Sequence, residues 1–205
     1  MKVTDYPRFT IIMRGYTYEQ AEAILTAMKG FENDFAVELT LNTTDALKQL
    51  QQLCAKFGKT ITIGAGTVRN ISDAEGAIAA GAQFLLGPHT FTTEILSLAK
   101  TKKVLAVPAA MTPSEINEMF EKGADIVKIF PAAVVTPRFF ADVQAPLGQL
   151  PLMAVGGISA NNAKEFFDQG ASYLGIGSNL FQYQDLQTGD IQRLAKSLQT
   201  LLAAV

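Results

Sequence analysis

Eight times along this chain a short β-branched or aromatic run gives way to a longer amphipathic stretch, and few architectures accept that rhythm. Alternating strand-like and helix-like periods signal βα units built around a parallel sheet. The spacing predicts strands at Phe9–Met13, Phe35–Thr40, Thr60–Gly64, Phe84–Gly87, Val104–Val107, Ile126–Phe130, Leu152–Val155 and Tyr173–Gly177. Helical patterns lie between them, among them Tyr18–Lys29, Thr43–Lys56, Ser72–Ala80 and Thr112–Lys122, with a final helix from Asp190 to Val205. "TPSE" at Thr112 supplies a cap residue, a proline at the first helical position and a glutamate three residues on. "GA" pairs at Gly81, Gly123 and Gly170 fall where a helix should end and the next strand begin. No linker, low-complexity stretch or composition shift divides the chain, so residues 1–205 are expected to form one α/β domain. An open doubly wound sheet has the same local units. Eight in succession favour closure into a (β/α)8 barrel of the TIM type, with short loops.

Where such a barrel acts is known in advance: at the C-terminal ends of its strands. The stretch "GADIVKIFPAA" puts one lysine in an apolar run there. Successive strand side chains face opposite ways, so Ile126, Lys128 and Phe130 share one face, while Val127 and Ile129 share an apolar face suited to outer helices. Lys128 therefore points into the barrel near its mouth. A lysine stretching its ammonium to solvent at the rim is the bland alternative. Its company argues against that. In "FAVELTL", Ala36, Glu38 and Thr40 face inward and Val37 and Leu39 outward, and in "FTIIMRG" Arg14 has the inward parity of Thr10 and Ile12. Charged residues at three strand ends form a site more naturally than three structural accidents. A lysine hemmed in by apolar walls and a second cation favours its neutral amine, the nucleophile of Schiff-base chemistry. A charge network serving only stability is the other reading, although buried ion pairs stabilise weakly.

Two glycine-rich turns follow, "AVGGISANN" after the seventh strand and "LGIGSNLF" after the eighth. Glycines let backbone N–H groups approach an anion, and these two loops often hold phosphate in such barrels. Gly156, Gly157, Gly177 and Ser178 are the expected donors. Thr67 in "IGAGTV" offers a hydroxyl to a carboxylate or carbonyl, or else a cap to the helix beginning near Ser72. His89, the only histidine, stands where it could touch substrate but reads more readily as a loop residue, and the single cysteine, Cys54, reads as a packed, inert thiol. No HExxH, CxxC or clustered His/Asp set appears, so no metal is expected.

Composition narrows the partners. Lys plus Arg number 17 against 19 for Asp plus Glu, which gives no electrostatic reason to expect nucleic acid or a membrane surface. One cysteine excludes an internal disulfide and fits a reducing compartment. Neither a signal-peptide pattern nor a membrane-length apolar run is present, so the expectation is a soluble cytoplasmic protein.

"IIMRG", "VELTLNT", "IGAGTV", "IVKIFPA", "AVGGIS" and "GIGSNLF" occur in that order over nearly the whole chain. Together they resemble the class I aldolases that split 2-keto-3-deoxy-6-phospho sugar acids, the phosphogluconate and phosphogalactonate aldolases. The resemblance implies a homotrimer of TIM barrels that uses no metal and no cofactor. It implies that Lys128 forms the Schiff base, Glu38 is the general acid/base, and Arg14 and Thr67 bind the carboxylate end. Phe130 would line the pyruvyl pocket, Pro88 would touch substrate, and the glycine loops with Ser178 would take the distal phosphate. The partners implied are a phosphorylated 2-keto acid and pyruvate. Asn42 stands where phosphogluconate aldolases usually carry arginine and the phosphogalactonate branch more often asparagine, which favours the galactonate substrate. Two departures from the family pattern are Pro108–Ala109 in place of proline–glycine and the "GPH" after the fourth strand. The methyl of Ala109 is expected to narrow the pocket. On the residues alone, a sugar-phosphate epimerase or a non-catalytic sugar-phosphate binder would share the glycine loops without needing an imine lysine.

Overall fold

The computed structural model describes residues 2–177 and 180–205. Its strands are β1 (Phe9–Met13), β2 (Phe35–Thr40), β3 (Thr62–Gly66), β4 (Phe84–Leu86), β5 (Leu105–Val107), β6 (Ala109–Ala110), β7 (Val127–Ile129), β8 (Leu152–Val155) and β9 (Tyr173–Ile176). All pair in parallel in the order β5-β4-β3-β2-β1-β9-β8-β7-β6. The two ends of that order are neighbours in the chain, because β5 and β6 are one stave interrupted at Pro108. Proline has no N–H for the ladder, but its carbonyl still accepts from Lys128 N–H at 2.8 Å, and Ala106 O accepts from Asp125 N–H at 3.0 Å. The ring is thereby closed, and it is the (β/α)8 barrel of the TIM type that the eight repeats predict.

The helices wrap the ring: α1 (Tyr18–Ala27), α2 (Ala46–Phe57), α3 (Ile71–Ala79), α4 (Thr93–Lys102), α5 (Pro113–Glu121), α6 (Ala132–Val135), α7 (Arg138–Leu147), α8 (Ala163–Asp168), α9 (Tyr183–Thr188) and α10 (Ile191–Leu202). The cap signals hold. Thr112 accepts from Glu115 N–H at 3.3 Å, and the Glu115 carboxylate accepts in return from Thr112 N–H at 2.9 Å. At the other ends Gly81, Gly123 and Gly170 take φ of 98°, 95° and 96°, and the next N–H reaches back into the helix, as Ala82 does to Ala77 O at 3.0 Å.

Two apolar layers follow from strand alternation. Outward residues such as Ile11, Val37, Ile63, Val127, Ile129 and Leu174 pack against the helices. Inward residues, among them Ala36, Phe84, Leu86, Val107, Ile126, Met153 and Val155, fill the barrel. The N-terminal segment closes the floor. The Tyr6 ring meets Phe84 edge-on at 5.1 Å and Tyr173 at 5.5 Å, its hydroxyl lies 2.8 Å from Thr10 Oγ1, and Tyr173 OH donates to Val3 O at 3.0 Å. The barrel is packed below and open above.

Candidate active site

Lys128 lies on the inner face of β7 and is 5% exposed, and Glu38 on the inner face of β2 is 2% exposed. The parity reading is therefore correct for both, and the rim-lysine alternative is not. No ion pair within 4 Å joins the two. Burial pushes the Lys128 pKa down, and the Arg14 charge adds to this while Glu38 opposes it. Burial likewise pushes Glu38 up, against the pull of Lys128 and Arg14. Each group is driven toward its neutral form. Glu38 Oε2 is buried with no hydrogen-bond partner among the described residues, a costly state that a fold does not keep for stability.

The space for that carboxylate comes from β3. A Cβ built on Gly66 would overlap the Glu38 carboxyl group, and one on Gly64 would come within 2.5 Å of the Phe84 ring. This accounts for a strand read from the sequence as Thr60–Gly64 and found at Thr62–Gly66. Its glycines have poor strand propensity, yet large side chains from β2 and β4 need the room.

Arg14, just past β1, is exposed at the mouth, and its Nη1 donates to Asn42 Oδ1 at 3.0 Å and to Thr67 Oγ1 at 3.3 Å. The loops beneath it are tied together: Gly15 N–H donates to Thr43 Oγ1 at 2.9 Å, and the Thr43 and Thr40 hydroxyls lie 3.0 Å apart. Thr67 takes φ 58°, rare for a β-branched residue and a strain of order 1–3 kcal/mol. It caps nothing; α3 is capped by Asn70, whose Oδ1 accepts from Asp73 N–H at 2.8 Å. The Phe130 ring sits 5.0 Å from Lys128 Nζ and leaves 40% of its residue surface exposed at the rim.

These side chains share one cavity of about 550 Å³, lined by Arg14, Glu38, Thr67, Pro88, Lys128 and Phe130 together with Gly156, Gly157 and Gly177. The glycine turn after β8 is built as a tight loop. Gly156 and Gly157 take φ of 99° and 77°, a Cβ on Gly157 would come within 2.6 Å of Ala133 Cβ, and Asn162 Nδ2 bridges back to Gly157 O at 2.9 Å. Ser178, expected beside Gly177, lies outside the described residues.

Some expectations change. Ala109 is buried in β6, in register with Lys128, and does not line the cavity, so its methyl does not narrow the pocket. His89 is exposed with Nδ1 2.7 Å from Thr90 O and is also outside the lining. The Cys54 thiol is raised by burial to about 11, as an inert packed cysteine should be. Sequence reasoning missed Ile12, Tyr16, Val155, Ile158 and Gly175, which also line the cavity. Tyr16 lies past Gly15 at φ 73°, where strand alternation no longer holds, and the available signal was the inward parity that Ile12 shares with Arg14. It was read only for charge.

Residues 12–197 match the family of KDPG and KHG aldolases. The chain is 31% identical over 186 residues to a probable 2-dehydro-3-deoxy-6-phosphogalactonate aldolase of Rhizobium meliloti (strain 1021), covering 90% of this chain and 86% of that one. It is 30% identical over 164 residues to a 2-dehydro-3-deoxy-phosphogluconate aldolase of Treponema pallidum (strain Nichols), covering 79% and 76%. A solved native KDPGal structure superimposes with a TM-score of 0.86 at 25% identity, covering 100% of this chain and 98% of that one. A match over nearly the full length, on a barrel whose inner face carries a buried lysine and glutamate, leads to one conclusion: this chain belongs to the KDPG and KHG aldolase family.

Proposed function

We propose that the protein is a lyase that cleaves a 2-keto-3-deoxy-6-phospho sugar acid, the galactonate in preference to the gluconate, to pyruvate and glyceraldehyde 3-phosphate through a lysine imine. One observation carries the reading: an amine driven toward neutrality by burial, in the same cavity as a carboxyl group driven toward its protonated form. The neutral Lys128 amine attacks the C2 ketone, and protonated Glu38 gives its proton to the departing hydroxyl, so water leaves and a protonated imine and a Glu38 carboxylate remain. Glu38, directly or through a water, takes the C4 hydroxyl proton. The C3–C4 bond then breaks with its electron pair drawn into the imine, the aldehyde departs, and an enamine remains on Lys128. Glu38 returns a proton to C3, and hydrolysis frees pyruvate.

Arg14 and Thr67 hold the substrate carboxylate before the covalent step, which gives the reaction its orientation. Phe130 and Pro88 bound the keto-acid end, while Gly156, Gly157, Gly177 and Ser178 hold the phosphate. The galactonate preference is supported by Asn42, which occupies the arginine position of the gluconate branch and here orients Arg14. A homotrimer in the cytoplasm is the assembly and setting this reading carries with it. The test is cleavage of the two phosphorylated keto acids side by side. The galactonate isomer is expected to give the higher kcat/KM. Lys128→Arg keeps a charge but no usable amine, so it should lower kcat on both by at least ~10³-fold. Retained turnover in that variant refutes the imine, and a higher kcat/KM for the gluconate isomer refutes the preference.

A further inference from the structure

Tyr16 lines the cavity as a half-buried side chain two residues beyond Arg14, and it has no place in the chemistry just described. Its phenol makes no hydrogen bond among the described residues, and its oxygen is not one of the sealed-off polar atoms, so the O–H is free to meet a ligand. Burial raises its pKa, so the group remains an O–H donor through the neutral range. The ring packs on the outer apolar layer and also walls a second depression lined by Thr43, Thr44, Asp45 and Lys48, so it forms a partition whose inner side faces the reaction space.

Strand order locates that partition on the substrate. β1 lies between β2 and β3 on one side, where Arg14 finds Asn42 and Thr67, and β9 and β8 on the other, where the glycine loops stand. Ile12, beneath Arg14, approaches the β9 side: a Cβ on Gly175 would come within 3.2 Å of its Cδ1. Tyr16 lies in the loop after β1, past Gly15 at φ 73°, and lines the cavity on the arc between the Arg14 cluster and the glycine loops. It is farther up the barrel than the buried pair. That arc is where the carbons between a bound carboxylate and a bound phosphate would lie.

We propose that Tyr16 is a specificity residue for the aldehyde half of the substrate, donating a hydrogen bond to a hydroxyl of the three-carbon phosphorylated fragment beyond the bond that breaks. This rests on the aldolase reading, and two assays keep the two apart. Exchange of the pyruvate C3 protons with solvent deuterium, followed by NMR, needs the imine and not the aldehyde half. Cleavage of the full substrate needs both. Tyr16→Phe removes one oxygen and keeps the ring. The expected result is a roughly tenfold fall in cleavage kcat/KM, carried mainly by KM and matching the loss of one hydrogen bond, with a much smaller change in the exchange rate. Unchanged cleavage overturns the proposal, and so does an equal loss in both assays, which would make Tyr16 a support of the lysine centre. Absence of exchange in the parent protein overturns the imine itself, and this inference with it.

Discussion

Glu38 is costly to keep where it is, and that cost depends on pH in a way that can be measured. Its folded pKa is raised by burial, so between the ordinary carboxylate range and that raised value the folded chain binds the proton more tightly than the unfolded one. Stability contributed by the neutral form is present at low pH and is lost as pH rises through the window. Glu38→Gln removes the titration. The variant is expected to lose at least ~100-fold in kcat, yet to match or exceed the parent's Tm near neutrality and to lose less Tm between about pH 4 and pH 8. Thermal melts across that range check this. A variant that melts lower than the parent by the same margin at every pH would show that folding does not shift the carboxyl group's pKa. At this scale the sequence was legible wherever parity decides the outcome. Lys128, Glu38 and Arg14 could be assigned a face because strand side chains alternate. Asn42 was read as a marker of substrate branch, and the structure adds its bond to Arg14 across a strand boundary, a contact between residues 14 and 42 that no local period encodes.

At the scale of elements, the caps were written in the chain and the weak strands were not. Thr112, Pro113 and Glu115 name the start of α5 before any packing is known, and the structure uses both halves of the reciprocal cap. Thr112→Ala should therefore cost about 1 kcal/mol of stability in chemical denaturation and leave kcat within about twofold, since Thr112 is not part of the cavity wall. A loss of activity without a loss of stability would mean that α5 communicates with the site in a way its position does not suggest. β3 was shifted by two residues in the sequence reading because Gly64, Ala65 and Gly66 resemble a turn. They form a strand because Phe84 and Glu38 fill the space their side chains would take. The fifth stave is broken at Pro108 for a local reason, the missing N–H, that a run of apolar residues conceals.

At the scale of the molecule, closure is what turns separate residues into a site. Repeat count alone pointed to a closed barrel, and a cavity opens at the mouth that the sequence reading named. The floor was not foreseen, because Tyr6 precedes the first strand and belongs to no period. Its ring, against those of Phe84 and Tyr173, and its hydroxyl pack the barrel floor, and burial shifts both titrating groups toward neutrality. The whole account therefore converges on one amine and what it will bond to. Incubating the protein with pyruvate, reducing with borohydride and mapping the product by mass spectrometry reads that out directly. The account predicts a single reduced pyruvyl adduct on Lys128 that Lys128→Arg abolishes. An unmodified Lys128, or an adduct on one of the exposed lysines instead, would contradict it.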